Sequence, residues 1–353
     1  MRNTDNNGTE AALISALLAM LKTRMPPLWQ ARLGPRSKNK ESDAVLSING
    51  PDGSKAQIVV ETKRWLDPKE IPSVLYRARA FAKGRPLCIV STFLSPTTQE
   101  RLREAGVSYL DTFGNVRFVL DRPAIFIETA GAEKGPKRRD QALSSLKGRA
   151  AARVVRALCD FKPPYGVREL AERSETALGS VARVIELLDK ESLIERDARG
   201  RVAGVDWARL IRRWTQDYSL TESNETKNFL EPRGLKSLNK KLRALTRPYA
   251  VTGSLALAGK PVIAPALLAV VYVDDIEAAA NELGLHTVDA GANVILARPF
   301  DPVVYDRGVL ADGVRAASAS QVAADLLTSP GRGPAEGEEL IKWMGGNIDG
   351  WRS

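Results

Sequence analysis

Apolar positions fall at helical spacing through the middle of the chain. Leu146, Ala150, Val154, Ala157 and Leu158 form one stripe, and Val167, Leu170 and Ala171 a second. After a polar turn at Ser174-Glu175-Thr176, Val181, Val184, Ile185 and Leu188 repeat at i, i+3, i+4 and i+7. Leu193-Ile194 then leads into the polar run Glu195-Arg196-Asp197-Ala198-Arg199-Gly200-Arg201 and an apolar return from Val202 to Val205. Two short apolar segments around such a turn predict a β-hairpin, here with three arginines. Three helices followed by a basic hairpin predict a winged helix-turn-helix. Its third helix exposes Gly179, Ser180 and Arg183 near the N-terminal end, where a recognition helix meets base edges.

The flanks alternate helix and strand patterns. Residues 1–130 predict a helix at Thr9–Leu21, strands at Ala44–Ile48 and Gln57–Thr62, and a helix over Lys69–Ala82. A strand at Leu87–Ser91, a helix at Thr97–Glu104 and short strands at Tyr109 and Val116–Leu120 complete an α/β domain with a mixed sheet. Residues 131–145 lack an apolar period and read as a basic linker containing Arg138 and Arg139. The winged helix spans 146–218, extended by a helix at Trp207–Tyr218. Residues 219–245 read as a connector, polar from Thr221 to Pro232, with a basic helix at Leu235–Leu245. Residues 246–353 form a last α/β unit with a strand at Ala269–Val273, a helix at Asp275–Leu283 and a strand at Asn293–Ala297. Two further helices flank Pro330-Gly331-Arg332-Gly333-Pro334, which reads as a rigid turn. The fold class is therefore multidomain α+β: an N-terminal α/β domain, a central winged helix-turn-helix and a C-terminal α/β domain.

Charge sharpens this division. The 353 residues carry a net charge of +10, and residues 131–250 hold 26 Lys and Arg against 16 Asp and Glu. The last 103 residues are net acidic, with 7 against 13. A positive field on the predicted DNA reader suits phosphate neutralisation with counterion release. Lys147, Arg149 and Arg153 join Arg138 and Arg139 as candidate backbone contacts, and Thr176, Ser180 and Arg183 are candidate base contacts. Arg196, Arg199 and Arg201 of the wing would track phosphate or the minor groove. The expected partner is double-stranded DNA, bound by a homodimer. Two cysteines and one histidine exclude a disulfide framework, a zinc site and histidine-dependent triads. No run approaches the ~20 apolar residues of a membrane span, and the N-terminus lacks a signal-peptide pattern. The chain is expected to be cytoplasmic and nucleoid-associated, without a membrane partner.

A second chemistry sits in the first domain. Asp43 heads one predicted strand, and Glu61-Thr62-Lys63 ends the next, a spacing that fits a hairpin. Glu61 and Lys63 share a sheet face by alternation. Two carboxylates and a lysine could hold Mg²⁺ and orient a water against a phosphodiester. Here the chain resembles the PD-(D/E)xK restriction-endonuclease-like superfamily, which implies that fold for residues 1–130. It makes Asp43, Glu61 and Lys63 the catalytic set, Asp43 and Glu61 the metal ligands, and Glu10 of the first helix an additional acid. The alternative reading is thus a Mg-dependent endonuclease targeted by the winged helix. Otherwise no cofactor is expected, and the domain binds nucleic acid or senses it without cutting.

A third pattern is Tyr109-Leu110-Asp111-Thr112-Phe113-Gly114-Asn115, with Gly114-Asn115 as a hairpin turn. Together with Ala250-Val251-Thr252-Gly253-Ser254, with Pro299-Phe300-Asp301-Pro302-Val303 and with Ser320-Gln321-Val322-Ala323-Ala324-Asp325, it resembles the AbiEi-type antitoxin and regulator families of type IV toxin–antitoxin systems. The resemblance implies a DNA-binding repressor with a cognate toxin as partner. It departs from that pattern in one respect: the winged helix is central rather than N-terminal. Gly253-Ser254 ahead of Asp274-Asp275 is similar to nucleotidyltransferase geometry. Adjacent strand residues point to opposite faces, however, and a helix cap at Asp274 or Asp275 is the better expectation.

Overall fold

The computed structural model describes residues 4–34, 43–133, 135–136, 145–257, 263–311 and 313–353. The fold is mixed α/β, and the chain divides into two compact units. Residues 1–141 with 190–192 make the first, and 142–189 with 193–353 the second.

In the first unit the elements are α1 (Thr4–Arg24), β1 (Gln30–Leu33), β2 (Ala44–Asn49), β3 (Lys55–Trp65), α2 (Ile71–Ala82) and β4 (Leu87–Phe93). They continue as α3 (Pro96–Glu104), β5 (Ser108–Asp111), β6 (Val116–Leu120) and β7 (Ile125–Thr129). The seven strands lie side by side in chain order. β3–β4 and β4–β5 are parallel, because α2 and α3 return the chain across the sheet; the other pairs are antiparallel hairpins. Alternation then sorts the side chains. Ile58, Val60, Cys88 and Val90 pack with Leu13, Leu17 and Leu21 of α1. Val59 and Ile89 face the opposite way, onto Val74, Leu75 and Ala78 of α2 and Leu102 of α3. A sheet covered on both faces needs near-continuous apolar strands, as Ile58-Val59-Val60 shows.

The Asp111-to-Asn115 turn is held by one carboxylate. Asp111 is buried; its Oδ1 accepts from the Phe113 and Asn115 backbone N–H groups at 2.9 and 3.0 Å. Its Oδ2 accepts from the Leu94 N–H at 3.0 Å and from Asn115 Nδ2 at 2.8 Å. Asn115 in turn donates to the Ala132 carbonyl and accepts from the Gly131 N–H. A Cβ on Gly131 would stand 2.1 Å from the Phe113 carbonyl oxygen, so only glycine fits there.

The second unit opens with α4 (Arg149–Asp160), α5 (Val167–Arg173), α6 (Leu178–Lys190), β8 (Ile194–Arg196) and β9 (Val202–Val205). Next come α7 (Trp207–Trp214), α8 (Leu220–Ser223), β10 (Glu225–Leu230), α9 (Leu235–Ala244), β11 (Tyr249–Thr252) and β12 (Ala269–Val273). The remainder is α10 (Ile276–Leu283), β13 (His286–Thr287), β14 (Val294–Arg298), β15 (Val309–Ala311), β16 (Val314–Ala316), α11 (Ala319–Leu327), α12 (Gly333–Gly346) and α13 (Ile348–Trp351). Its sheet runs β13-β10-β14-β12-β11-β16-β15, with β12–β14 and β11–β16 parallel. One hydrophobic core runs from Leu158 and Leu188 through Val271 and Ala297 to Leu326 and Met344.

Two expectations need correction here. The polar stretch from Thr221 to Pro232 is not a plain connector: it contains α8 and β10, and β10 pairs with both β13 and β14. Phe229 is the one residue of that strand that is buried, so the strand rests on backbone pairing rather than on an apolar pattern. The helix from Trp207 ends at Trp214 and not at Tyr218. As expected, Asp275 caps α10, accepting from the Ala278 N–H at 3.0 Å.

Asp111→Ala leaves three backbone N–H groups of the first unit without their acceptor. It should lower the stability of that unit by about 3 kcal/mol, at roughly 1–3 kcal/mol per unsatisfied buried donor. Denaturant unfolding followed by a probe in residues 1–130 checks this; a loss below about 1 kcal/mol would contradict it.

Candidate nucleic-acid interface

Helices α4, α5 and α6 and the β8–β9 hairpin are assembled by short-range constraints. Tyr165, between α4 and α5, exchanges backbone hydrogen bonds with Val202 at 3.1 and 3.0 Å, adding a third short strand to the hairpin. Single-residue pairing leaves no periodic trace, which is why the sequence pattern did not announce it. The α5–α6 turn closes as the Ser174 hydroxyl donates to the Leu170 carbonyl at 2.6 Å and the Thr176 N–H to the Ala171 carbonyl at 3.0 Å. Glu175 takes φ +46° to make this turn.

α6 buries Val181, Val184, Ile185, Leu187 and Leu188. Its other face exposes Leu178, Gly179, Ala182, Arg183 and Glu186. Arg183 lies back along the helix, its Nε donating to the Gly179 carbonyl and its Nη2 to Ser180 Oγ, each at 3.2 Å. Ser180 is half-buried, and Thr176 spends its hydroxyl on the Ser174 carbonyl at 2.9 Å. Periodicity found the buried stripe and therefore Arg183. It missed Leu178 and Ala182, because apolar residues are expected to face inward.

The hairpin turn is organised by Asp197. Its Oδ1 accepts from the Arg199 and Arg201 N–H groups, both at 2.9 Å, and its Oδ2 from Arg201 Nε at 2.8 Å. The Arg201 backbone N–H and then the Arg201 guanidinium hold this carboxyl below the usual carboxylate range. Gly200 takes φ +77°, and its carbonyl accepts from Arg196 Nε and Nη2 at 3.0 and 2.9 Å. Arg196, Arg199 and Arg201 are all exposed.

Lys147 and Arg149 are exposed at the start of α4. Arg153 is otherwise engaged: its Nε meets both oxygens of buried Asp301 at 3.0 and 3.1 Å, and its Nη1 meets Glu175 Oε2 at 3.2 Å. That pairing makes it an internal strut rather than a free phosphate contact. Arg138 and Arg139 lie outside the described residues.

In the first unit Asp43 and the Glu61-Thr62-Lys63 segment stand side by side on neighbouring strands. The β2–β3 register sets Asp43 across from Glu61, but Asp43 Oδ2 accepts from the Thr62 N–H and hydroxyl at 2.6 and 2.7 Å. Glu61 is paired with Lys63 at 2.6 Å. By alternation Glu61 shares the sheet face of Val59 and Ile89, and Glu10 belongs to α1. Among the described residues, no three or more His, Cys, Asp or Glu side chains are grouped to hold a metal ion. Cys88 and Cys159 are buried, and burial pushes the Cys88 thiol up to about 12. No described helix is long and apolar enough to cross a membrane. Comparison of the chain with family models, with curated proteins and with solved structures finds no match.

Because the folded carboxyl of Asp197 is lowered, its turn bonds persist above the ordinary aspartate range and are lost as pH falls through the lowered value. The Arg199 and Arg201 amide resonances should therefore titrate together below pH ~3.9. In Asp197→Ala their hydrogen exchange should accelerate at neutral pH while the unfolding midpoint barely moves. Exchange unchanged by that substitution would refute this account of the turn.

Proposed function

We propose that the chain is a DNA-binding transcriptional regulator, a repressor of the antitoxin type, that reads duplex DNA with a winged helix-turn-helix made by α4, α5, α6 and the β8–β9 hairpin. The observation that carries this reading is the pairing of α6, one face packed and one face free, with a hairpin whose three exposed arginines flank an Asp-Gly-stabilised turn. A free helix face suits the major groove, and a basic wing suits phosphate or the minor groove. Lys147 and Arg149 add backbone contacts. The protein acts as a homodimer on a two-fold operator, in the cytoplasm on the nucleoid, with a cognate toxin as its protein partner.

In this reading residues 1–141 form a restriction-endonuclease-like domain that contacts or senses nucleic acid without cutting it. Support comes from the acids themselves. One Asp43 oxygen is taken by Thr62, and Glu61 is paired with Lys63. A hydrolytic Mg²⁺ site needs these oxygens to converge on one ion.

Two measurements test the proposal. Anisotropy titration of duplex DNA across a salt series should show a steep negative slope of log K against log salt. Arg183→Ala should cost about 1–3 kcal/mol on the preferred sequence, with little change on random DNA. Replacing Arg199 should weaken every sequence and reduce the salt slope by about one. No salt-sensitive binding to any duplex would overturn the regulator reading. Incubation of plasmid and single-stranded DNA with Mg²⁺ or Mn²⁺ should leave both intact. Cutting that disappears in Asp43→Ala and Lys63→Ala would instead establish the nuclease.

A further inference from the structure

The free face of α6 carries a side chain that phosphate cannot use. Leu178 opens the helix and is 48% exposed, and Ala182, one turn on, is exposed as well. Residues four apart share a helix face, so the two make a small apolar patch. Gly179 beside them has only open space where a Cβ would stand, leaving the helix backbone approachable. Arg183 is exposed at the edge of the patch, with its guanidinium held by the Gly179 carbonyl and Ser180 Oγ.

A lone exposed leucine is ordinary on a protein surface. This one stands in the stretch that holds 26 Lys and Arg against 16 Asp and Glu, on the helix just before the basic hairpin. The charge selects a polyanionic duplex as the occupant. On such a duplex, the apolar feature of the major groove is a methyl group at pyrimidine C5, which an apolar side chain contacts. We infer that Leu178 and Ala182 read the C5-methyl of a pyrimidine, thymine or 5-methylcytosine, while Arg183 donates to O6 and N7 of a neighbouring guanine. Ser180 is then a positioning residue that orients Arg183, in place of a direct base contact. The inference rests on the chain binding duplex DNA, and it names the base edges that this binding recognises.

The test uses the full chain and duplexes enriched by it from a random library. At each enriched thymine, deoxyuridine replaces thymidine; at each enriched cytosine, 5-methylcytosine replaces cytosine. One position should show about a four-fold preference for the methylated base, the effect of burying one methyl group. A thymidine-over-deoxyuridine preference identifies thymine, and a 5-methylcytosine-over-cytosine preference identifies the modified base. In Leu178→Ala the preference should fall to about one, while salt-sensitive binding persists. 7-Deazaguanine at the neighbouring position should weaken the wild type and leave Arg183→Ala unaffected. A wild type that binds duplex without any enriched motif overturns the inference and spares the DNA-binding reading. So does a methyl preference unchanged in Leu178→Ala. A wild type that binds no duplex overturns the DNA-binding reading and the inference with it.

Discussion

A buried polar seam decides how the second unit is put together. Arg156 of α4 is almost wholly inaccessible, yet its guanidinium is fully engaged. Nε and Nη2 meet Asp160 at 3.1 and 3.0 Å, Nη1 meets the Val303 carbonyl and Gln321 Oε1, and Nη2 also reaches the Asp306 carbonyl. Gln321 of α11 passes the chain on, its Nε2 donating to Tyr218 Oη and Asp325 Oδ1. Asp325 then accepts from Tyr218, from Tyr272 of β12 and from Thr252 of β11. Burial pushes the Asp325 carboxyl above the usual carboxylate range, against the pull of those donors. Removing one partner from such a seam leaves a buried charge or dipole uncompensated, which costs far more than the net gain of any one bond. α4 and the C-terminal sheet are thereby fixed as one body with one core.

The seam also explains the phrases that carry the antitoxin-family resemblance. Ser320, Gln321 and Asp325 of the C-terminal phrase are all seam members, with Ser320 Oγ donating to Asp160. In Pro299-Phe300-Asp301-Pro302-Val303, Asp301 holds Arg153 and the Val303 carbonyl holds Arg156. Thr252 of Ala250-Val251-Thr252-Gly253-Ser254 holds Asp325, and Ser254 is bonded to Glu336. In the first unit Asp111 and Asn115 perform the same service for their turn. These residue types were chosen by satisfaction of buried donors and acceptors, so they mark scaffold. The candidate nucleic-acid contacts lie elsewhere, on α6 and in the β8–β9 turn, where no such buried constraint fixes them.

What the sequence made legible follows the same division. Strongly periodic elements were readable: α6, the β8–β9 hairpin, β3, β4, β12 and the Asp275-capped α10 all follow from apolar spacing and turn chemistry. β1, β7 and β10 were not readable, since their residues are mostly exposed or half-buried and give the core only a few apolar side chains such as Ala31, Ile127 and Phe229. In the candidate site, the exposure of Arg183 and the wing arginines was legible because they stand opposite or between apolar stripes. The internal pairing of Arg153 was not legible, because its partner Asp301 is 148 residues away. The Asp43, Glu61 and Lys63 set was legible in its placement only. Its register was foreseen, but the competing acceptor role of Asp43 toward Thr62 depends on where one carboxylate turns.

Arg153 finally connects the scaffold to the α5–α6 turn. It joins Asp301, at the head of the Pro302–Tyr305 turn, to Glu175 in the α5–α6 turn. Glu175 occupies a left-handed conformation that a non-glycine residue adopts only when its surroundings hold it there. The strut is therefore one of the interactions that set how α6 leaves its turn. Its two carboxylates contribute unequally. The Asp301 carboxylate is 1% exposed and meets Arg153 Nε through both oxygens, whereas the Glu175 side chain is 82% exposed and meets it through one oxygen, beside a 3.4 Å bond from Arg153 Nη1 to the Glu175 carbonyl. An exposed ion pair is worth at most about 1 kcal/mol, whereas a buried, bidentate one resists opening. The anchored end of the strut lies in the C-terminal part of the unit and its yielding end in the turn that leads into α6, so any reorientation of α6 falls on the Glu175 side.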